Sequence, residues 1–441
     1  MDEITSLTAS EASLLLAAGK LSAERLVAAC LERIAAREPM VGAWAYLEPD
    51  RALASARALD RMPRRGPLHG IPIGIKDIID TADLPTAYGS TLYRGHRPAW
   101  DAACVAALRA AGAVIIGKTV TSEFAAYHPG RTRNPHDPSR TTGISSMGSA
   151  AAVADFMVPL ALGSQTGASI IRPAAFCGAI GYKPSFGRFS RAGMRPFADS
   201  LDTLGYITRS IDDARLLGAV LSGEPDFGQA RLDHAPRLGL CRTHAWDRAE
   251  RIIQENLEHA SAMATAADFM VSEIELPAPF ADLNEAVVSI MCFEAARAFA
   301  FEYNENRSAL GAATVRFLNR AAALPAERYW AAKSLIESCM PQLAAVFETV
   351  DALITPSAEC EPGPLDDPGG DSVFNRLWTG LHVPCVTLPL AAGPGGLPIG
   401  LQLIGPYRRD THLLAVAEAV WDRIGPRSRS TDRGATSRGC A

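Results

Sequence analysis

The sequence predicts an α/β fold, a sheet covered by helices on both faces, and three stretches carry that prediction. Ile71-Pro-Ile-Gly-Ile75 and Ala113-Val-Ile-Ile116 are short continuous apolar runs of the kind that form buried strands. Between them, residues 102–111 read as a helix closed by Gly112 at a C-cap position. Strand, helix and strand joined by short connections build a sheet buried on both faces. At 441 residues the chain can bury one large α/β core or two smaller ones.

In chain order, the first sixty residues read as helices. Ser22 is a good N-cap, Glu24 sits in the first turn, and Leu26, Cys30 and Ile34 share one face. The strand at 71–75 ends abruptly in Lys76-Asp77, and Asn134-Pro-His-Asp-Pro138 is a turn cluster. Residues 149–156 read as a helix and 158–162 as a strand ended by Gly163. Ser210-Ile-Asp-Asp213 is a capping signature ahead of an apolar run. Residues 224–350 are mostly helical in pattern (251–266, 294–304, 331–349) and hold no catalytic motif. Strand-like runs return at 352–355, 385–388 and 399–404, the last two separated by a Gly/Pro turn. A final helix spans 411–424, and beyond Pro426 the Arg, Ser, Thr and Gly residues lack periodicity, as in a disordered tail.

Composition narrows the class. Apolar residues make up 48% and charged residues 21%, which is ordinary for a folded, soluble protein. A net charge of −5 leaves no electrostatic footprint for nucleic acid. The nine cysteines are scattered without a Cys-x-x-Cys pair, so neither a disulfide framework nor a zinc site is expected. Asp2 and Glu3 stand where a secretory signal would be basic. The longest apolar segment, 149–163, contains Asp155 and Pro159 and is too short to span a bilayer. These observations lead to the expectation of a cytoplasmic enzyme.

The chemistry-bearing residues gather in 141–183, a stretch crowded with Gly, Ser and Ala and turn-rich at both ends. Small residues admit a ligand close to the backbone, and serines in such turns can present hydroxyls and N–H groups to one point. A helix hairpin packed through small residues would have the same composition, and these residues alone leave both readings open. Lys76 follows an apolar strand directly. Desolvation lowers a lysine pKa and makes a neutral amine usable as a general base, whereas pairing with Asp77 would make it a structural cation. Ser145 and Ser169 are candidate nucleophiles, and a serine needs a base to remove its proton. His128 and His136 sit in no nucleophile motif and read as loop or core residues, so a Ser–Lys scheme is more economical than Ser–His–Asp. The turn Gln165-Thr-Gly-Ala168 could aim successive N–H groups at a developing oxyanion. A Gly-x-Ser-x-Gly elbow is absent, against an α/β-hydrolase.

These segments resemble the amidase signature family. The likeness begins at Gly70-Ile-Pro-Ile-Gly-Ile-Lys-Asp77 and runs through 101–125, Arg133-Asn-Pro135, 143–149, 163–187 and Ser200-Leu-Asp-Thr203. It resumes at Phe374-Asn-Arg-Leu-Trp378 and 396–405, covering roughly two-thirds of the chain in the family's order. The resemblance implies one large domain over 1–426 with a central mixed β-sheet flanked by helices on both faces. It also implies a variable, substrate-specifying helical insert at about 224–350, with 427–441 as a tail. The implied activity is hydrolysis of the C–N bond of a small amide without metal or cofactor. By motif, Lys76, a cis-peptide Ser145 and the nucleophile Ser169 take the family's catalytic roles, with Thr166, Gly167 and Ala168 offering oxyanion donors. Arg172, three residues past Ser169, stands where relatives acting on carboxylate-bearing amides would bind the anion; a structural ion pair with a core carboxylate such as Asp202 is the alternative.

Three residues depart from the family's pattern. Ile144 and Met147 bring bulk into the Gly/Ser segment, and Ala168 replaces a glycine of the nucleophile turn. Ala168 can keep its donor role if its φ stays negative. Gln165 stands where many relatives carry aspartate. The expected protein is therefore an amide hydrolase with a modified pocket. The alternatives are a glutaminase-type subunit of an amidotransferase, which needs partner chains, and an impaired amidase-fold subunit of a complex. The apolar content allows a homodimer.

Overall fold

The computed structural model describes residues 3–126, 130–365 and 370–426. Its frame is one eleven-stranded sheet. The strands are β1 (Trp44–Leu47), β2 (Pro72–Lys76), β3 (Val114–Thr119), β4 (Leu160–Gln165), β5 (Ile180–Lys183), β6 (Thr203–Thr208), β7 (Arg237–Leu240), β8 (Met270–Glu273), β9 (Ala352–Pro356), β10 (Cys385–Ala392) and β11 (Pro398–Ile404). Their spatial order is β1-β3-β2-β4-β6-β5-β10-β11-β9-β7-β8. Parallel pairs (β2 with β3 and β4, β7 with β8 and β9) flank an antiparallel centre running from β4 to β9, so the sheet is mixed. Every residue of β2, β3 and β4 is buried. Because alternate side chains point to opposite faces, full burial means both faces are covered.

Local chemistry explains the helices at the expected places. Ser22 accepts a hydrogen bond from Arg25 N and starts the helix Ala23–Val41, which Gly42 ends in the left-handed conformation at φ 64°. Ser210 caps the helix Ile211–Ser222 in the same way, accepting from Asp213 N. The helix Arg251–Ala266 matches its expected span, while residues 294–304 divide between Leu283–Ala298 and Ala300–Glu305.

Three expectations need correction. The first sixty residues are not all helical: beyond Gly42 the chain forms β1, an edge strand antiparallel to β3. Glu38 reaches forward to accept from the N–H groups of Ala43 and Trp44 at 2.8 and 3.0 Å, holding the chain in its turn toward the sheet. Gly163 does not end β4. The strand runs on to Gln165, and the missing side chain lets Ser146 pack against it, since a Cβ there would stand 3.0 Å from Ser146 Oγ. Finally, 224–350 is mostly helical as expected but also holds two strands that the pattern did not show, β7 and β8, which join the sheet beside β9. His128 and the segment 427–441 lie outside the described residues. Among the described residues no helix is long and apolar enough to cross a membrane.

The helix Met147–Ala154 sits tightly on the sheet. Ser149 Oγ donates to Leu162 O at 2.8 Å and shares a hydrogen bond with Thr119 Oγ1 at 2.7 Å. A Cβ at Gly148 would fall 2.3 Å from Ala43 O and 2.4 Å from Val120 N, both backbone atoms. Gly→Ala inside a helix ordinarily gains up to about 1 kcal/mol. Here Gly148→Ala is expected to lose about 1–3 kcal/mol through overpacking. A lowered urea midpoint checks this, and a midpoint at or above that of the parent contradicts it.

Candidate active site

Lys76 closes β2, which lies between β3 and β4, and it is wholly buried. Its Nζ lies 2.7 Å from Ser145 Oγ, 2.9 Å from Ser146 Oγ, 2.9 Å from Ser164 Oγ and 3.4 Å from Ser164 O. Burial holds its pKa well below the ordinary lysine value, with the Asp202 charge pulling the other way through space. The sequence neighbour Asp77 does not neutralise it. That carboxylate faces Lys118, 3.2 Å away, whose Nζ also donates to Ile79 O and Thr86 Oγ1. The structural ion pair offered for Lys76 thus belongs to Lys118.

Counting protons around Nζ narrows the partners of its lone pair. An uncharged amine has two N–H bonds and one lone pair. Ser146 Oγ donates its own proton to Ser164 O at 3.2 Å, so toward Lys76 it accepts. Ser164 Oγ, with Lys76 as its only side-chain partner among the described residues, can take an N–H or donate to the lone pair. Ser145 Oγ, the shortest of these contacts, has the same two options. A hydroxyl that donates into an amine at 2.7 Å is placed to lose its proton there.

Ser145 is held by the segment leading into the helix Met147–Ala154. The Ile144–Ser145 peptide is cis, and Gly143 before it has φ 78°. Ser146 N donates to Ser169 O at 3.2 Å, which brings the two serine segments together. Met147 does not crowd them. It is buried on the side of Val120 and Gly130, where a Cβ on Gly130 would stand 2.7 Å from Met147 Sδ and 2.7 Å from Val120 Cγ1.

Ser169 is half-buried, and its Oγ makes no hydrogen bond to a described residue. The turn leading to it is fastened at both ends. Thr166 Oγ1 donates to Asp202 Oδ1 at 2.5 Å, while Asp202 Oδ2 accepts from Phe197 N at 2.7 Å and Ala198 N at 3.1 Å. Burial pushes the Asp202 carboxyl up to about 6, against the pull of these donors. Asp202 is therefore not the partner of Arg172. Ala168 is absent from the residues of positive φ, so its backbone takes the range open to alanine. The N–H groups of Gly167 and Ala168 donate to no described residue. A hydroxyl in contact with a buried amine, with the Ser169 turn and its N–H donors alongside, suits acyl transfer.

Arginines stand at two edges of this turn. Arg172, in the helix Ile171–Cys177, is buried; its Nη1 donates to Gly370 O at 2.8 Å, and it passes within 3.6 Å of where a Gly143 Cβ would lie. Burial lowers its pKa, with Asp371 and Glu359 nearby opposing. Arg376 lies beside Gly167, whose added Cβ would be 3.6 Å from Arg376 Cγ, and it pairs with Asp371 at 2.6 Å. His136 is structural, its Nε2 bonded to Cys177 O at 2.9 Å. Cys177 is fully buried, which raises its thiol pKa.

Sequence reasoning missed Ser146, Ser164 and Arg376. Ser146 doubles Ser145, Ser164 follows the glycine of β4, and Arg376 sits inside a block whose only signal is its family likeness. Their spacing carries no periodic signal, and only the Ser-Ser pair could have suggested a second hydroxyl. Among the described residues no group of three or more His, Cys, Asp or Glu converges as a metal site.

The profile of the amidase family matches residues 25–414. The chain is 36% identical to a glutamyl-tRNA(Gln) amidotransferase subunit of Chloroflexus aggregans, covering 95% of this chain and 96% of that protein. It is 33% identical to a putative amidase, AmiD, of Mycobacterium tuberculosis, over 96% of this chain and 95% of the relative. A crystal structure of an amidase superposes with a TM-score of 0.89 at 32% identity, covering 95% of this chain and all of that one. With the profile running through both serine segments and the lysine strand, the chain belongs to the amidase family.

Proposed function

We propose that this protein hydrolyses the C–N bond of a small amide through a covalent acyl-enzyme on Ser169. The observation that carries the reading is the contact of the buried Lys76 amine with Ser145 Oγ, 2.7 Å away. Ser169 Oγ attacks the amide carbonyl carbon and passes its proton to Ser145 Oγ, while the Ser145 proton moves to Lys76 Nζ. The carbonyl oxygen becomes an oxyanion held by the N–H groups of Thr166, Gly167 and Ala168. On collapse the C–N bond breaks, and the proton returns from Lys76 through Ser145 to the leaving nitrogen. Water, deprotonated along the same path, then attacks the acyl carbon. It releases the acid and restores Ser169.

Arg172 gives this reading a substrate preference, since a buried guanidinium beside the turn suits a carboxylate on the amide substrate. Small amides bearing a carboxylate, such as malonamate, are expected to have a higher kcat/KM than neutral amides of equal size. Equal values for the two sets remove that role for Arg172. The likeness to a tRNA-dependent amidotransferase chain supports a second reading, a glutaminase that works within a complex. That reading requires glutamine hydrolysis that rises on addition of partner subunits.

Removing the nucleophile is the sharpest test of the first reading. Ser169→Ala is expected to cut kcat on the order of 10⁴-fold or more and to abolish labelling by a fluorophosphonate. Retained labelling, or turnover within tenfold of the parent, contradicts the assignment.

The pH dependence follows from the sign of the Lys76 shift. Only the neutral amine can accept the proton, so kcat/KM rises as Lys76 deprotonates, in a range well below ordinary lysine titration. Asp202 raises that pKa by stabilising the ammonium, so Asp202→Asn is expected to move the acid limb of kcat/KM to lower pH. A limb that stays in place or moves upward contradicts Lys76 as the titrating base.

A further inference from the structure

Gln165 and Thr379 lie far apart in the chain and meet at the nucleophile turn. We propose that they form a bracket that orients the Gly167–Ala168 peptide, making both positioning residues for the Ala168 N–H as an oxyanion donor. This rests on the acyl-transfer reading of the turn given above.

Gln165, the last residue of β4, is wholly buried, as is Thr379 in the helix Arg376–Gly380 at 1% exposure. Gln165 Oε1 accepts from Ile170 N at 2.9 Å and Ile171 N at 3.1 Å. Two facing N–H donors leave only one sensible orientation for the amide, because a flipped group would set NH₂ against N–H. The helix Ile171–Cys177 has no capping side chain at Ile170, so Gln165 serves in its place from outside the helix.

The other half of the amide is then a donor. Gln165 Nε2 lies 3.1 Å from Thr379 Oγ1. Having received that proton, Thr379 gives its own to Gly167 O at 3.0 Å, closer than the alternative acceptor Asn375 O at 3.4 Å. The peptide unit is planar and trans, so the Gly167 carbonyl and the Ala168 N–H point in opposite directions. Fixing one aims the other. The Ala168 N–H donates to no described residue and is thus free to meet an oxyanion.

The order of donation depends on glutamine. A carboxylate at 165 could still cap the helix, but it can only accept. It would draw the Thr379 proton to itself and leave Gly167 O without its donor. This gives a physical account of an amide at a position where the sequence resemblance leads one to expect an acid.

The test compares Thr379→Val, Thr379→Ser and Gln165→Glu with the parent by two readouts. Residual dipolar couplings of the Ala168 amide in ¹⁵N-labelled protein report the direction of its N–H bond without turnover. Steady-state kinetics on a small amide report kcat and KM. The expected result is a reoriented Ala168 N–H in Thr379→Val and Gln165→Glu. For Thr379→Val, kcat falls about 10- to 100-fold, less than the roughly 10²–10³ for losing a donor outright, with KM within about twofold. Thr379→Ser keeps the hydroxyl and is expected to retain both the coupling and most of kcat. A role in packing alone predicts the reverse order, with Ser worse than Val because it loses a methyl group. An unchanged coupling in Thr379→Val overturns the bracket. So does Ser falling below Val in kcat. A coupling that shifts in Thr379→Val, when the parent neither turns over amides nor reacts with a fluorophosphonate, keeps the bracket and rejects the hydrolase reading instead.

Discussion

A lysine amine enclosed by serine hydroxyls at the end of a buried strand is the constraint to which the rest of this structure answers. Moving an ammonium out of water into such a site costs several kcal/mol unless a charge meets it. Nζ finds hydroxyls and a carbonyl at hydrogen-bond distance instead. Burial lowers the pKa of the amine well below the ordinary lysine value, which favours the neutral form that the proposed reaction needs. In that proposal Ser146 and Ser164 take the two N–H bonds, and Ser145 faces the lone pair.

The surroundings keep that arrangement from collapsing into an ion pair. Asp77 is adjacent in sequence, yet successive residues along an extended segment point opposite ways, and its carboxylate meets Lys118. Asp202 is bound by Thr166 and the N–H groups of Phe197 and Ala198, so it touches Lys76 only through its field. The same carboxylate steadies the Ser169 turn through Thr166. One group therefore links the basicity of the amine to the geometry of the Ser169 turn. Thr379, from the C-terminal half of the chain, accepts from Gln165 Nε2 and donates to Gly167 O in the same turn.

Much of this was legible in the sequence where signals were local. Ile71–Ile75 runs straight into Lys76, which points to an amine drawn toward low dielectric while leaving a pair with Asp77 open. Ser22 and Ser210 marked helix starts through side chains that reach their own N3 positions. The short strands β5 to β8 were harder. Ile180-Gly-Tyr-Lys183 and Arg237-Leu-Gly-Leu240 span four residues each, too few for alternation to emerge, and their identity comes from neighbours in the sheet. Ser146, Ser164 and Thr379 escaped for a related reason, since a hydroxyl acquires its role from whatever the fold sets beside it. Met147 shows the converse. Its bulk drew suspicion in sequence, but the helix turns it toward Val120 and away from the serines.

The most direct test reads the protonation of one nitrogen. In protein labelled with ¹⁵N at lysine side chains, the Lys76 Nζ resonance at neutral pH should lie at the position of a neutral amine. It should be identified by its loss in Lys76→Met. An ammonium resonance for Lys76 at neutral pH would contradict the lone-pair assignment, and with it the route by which Ser169 is activated.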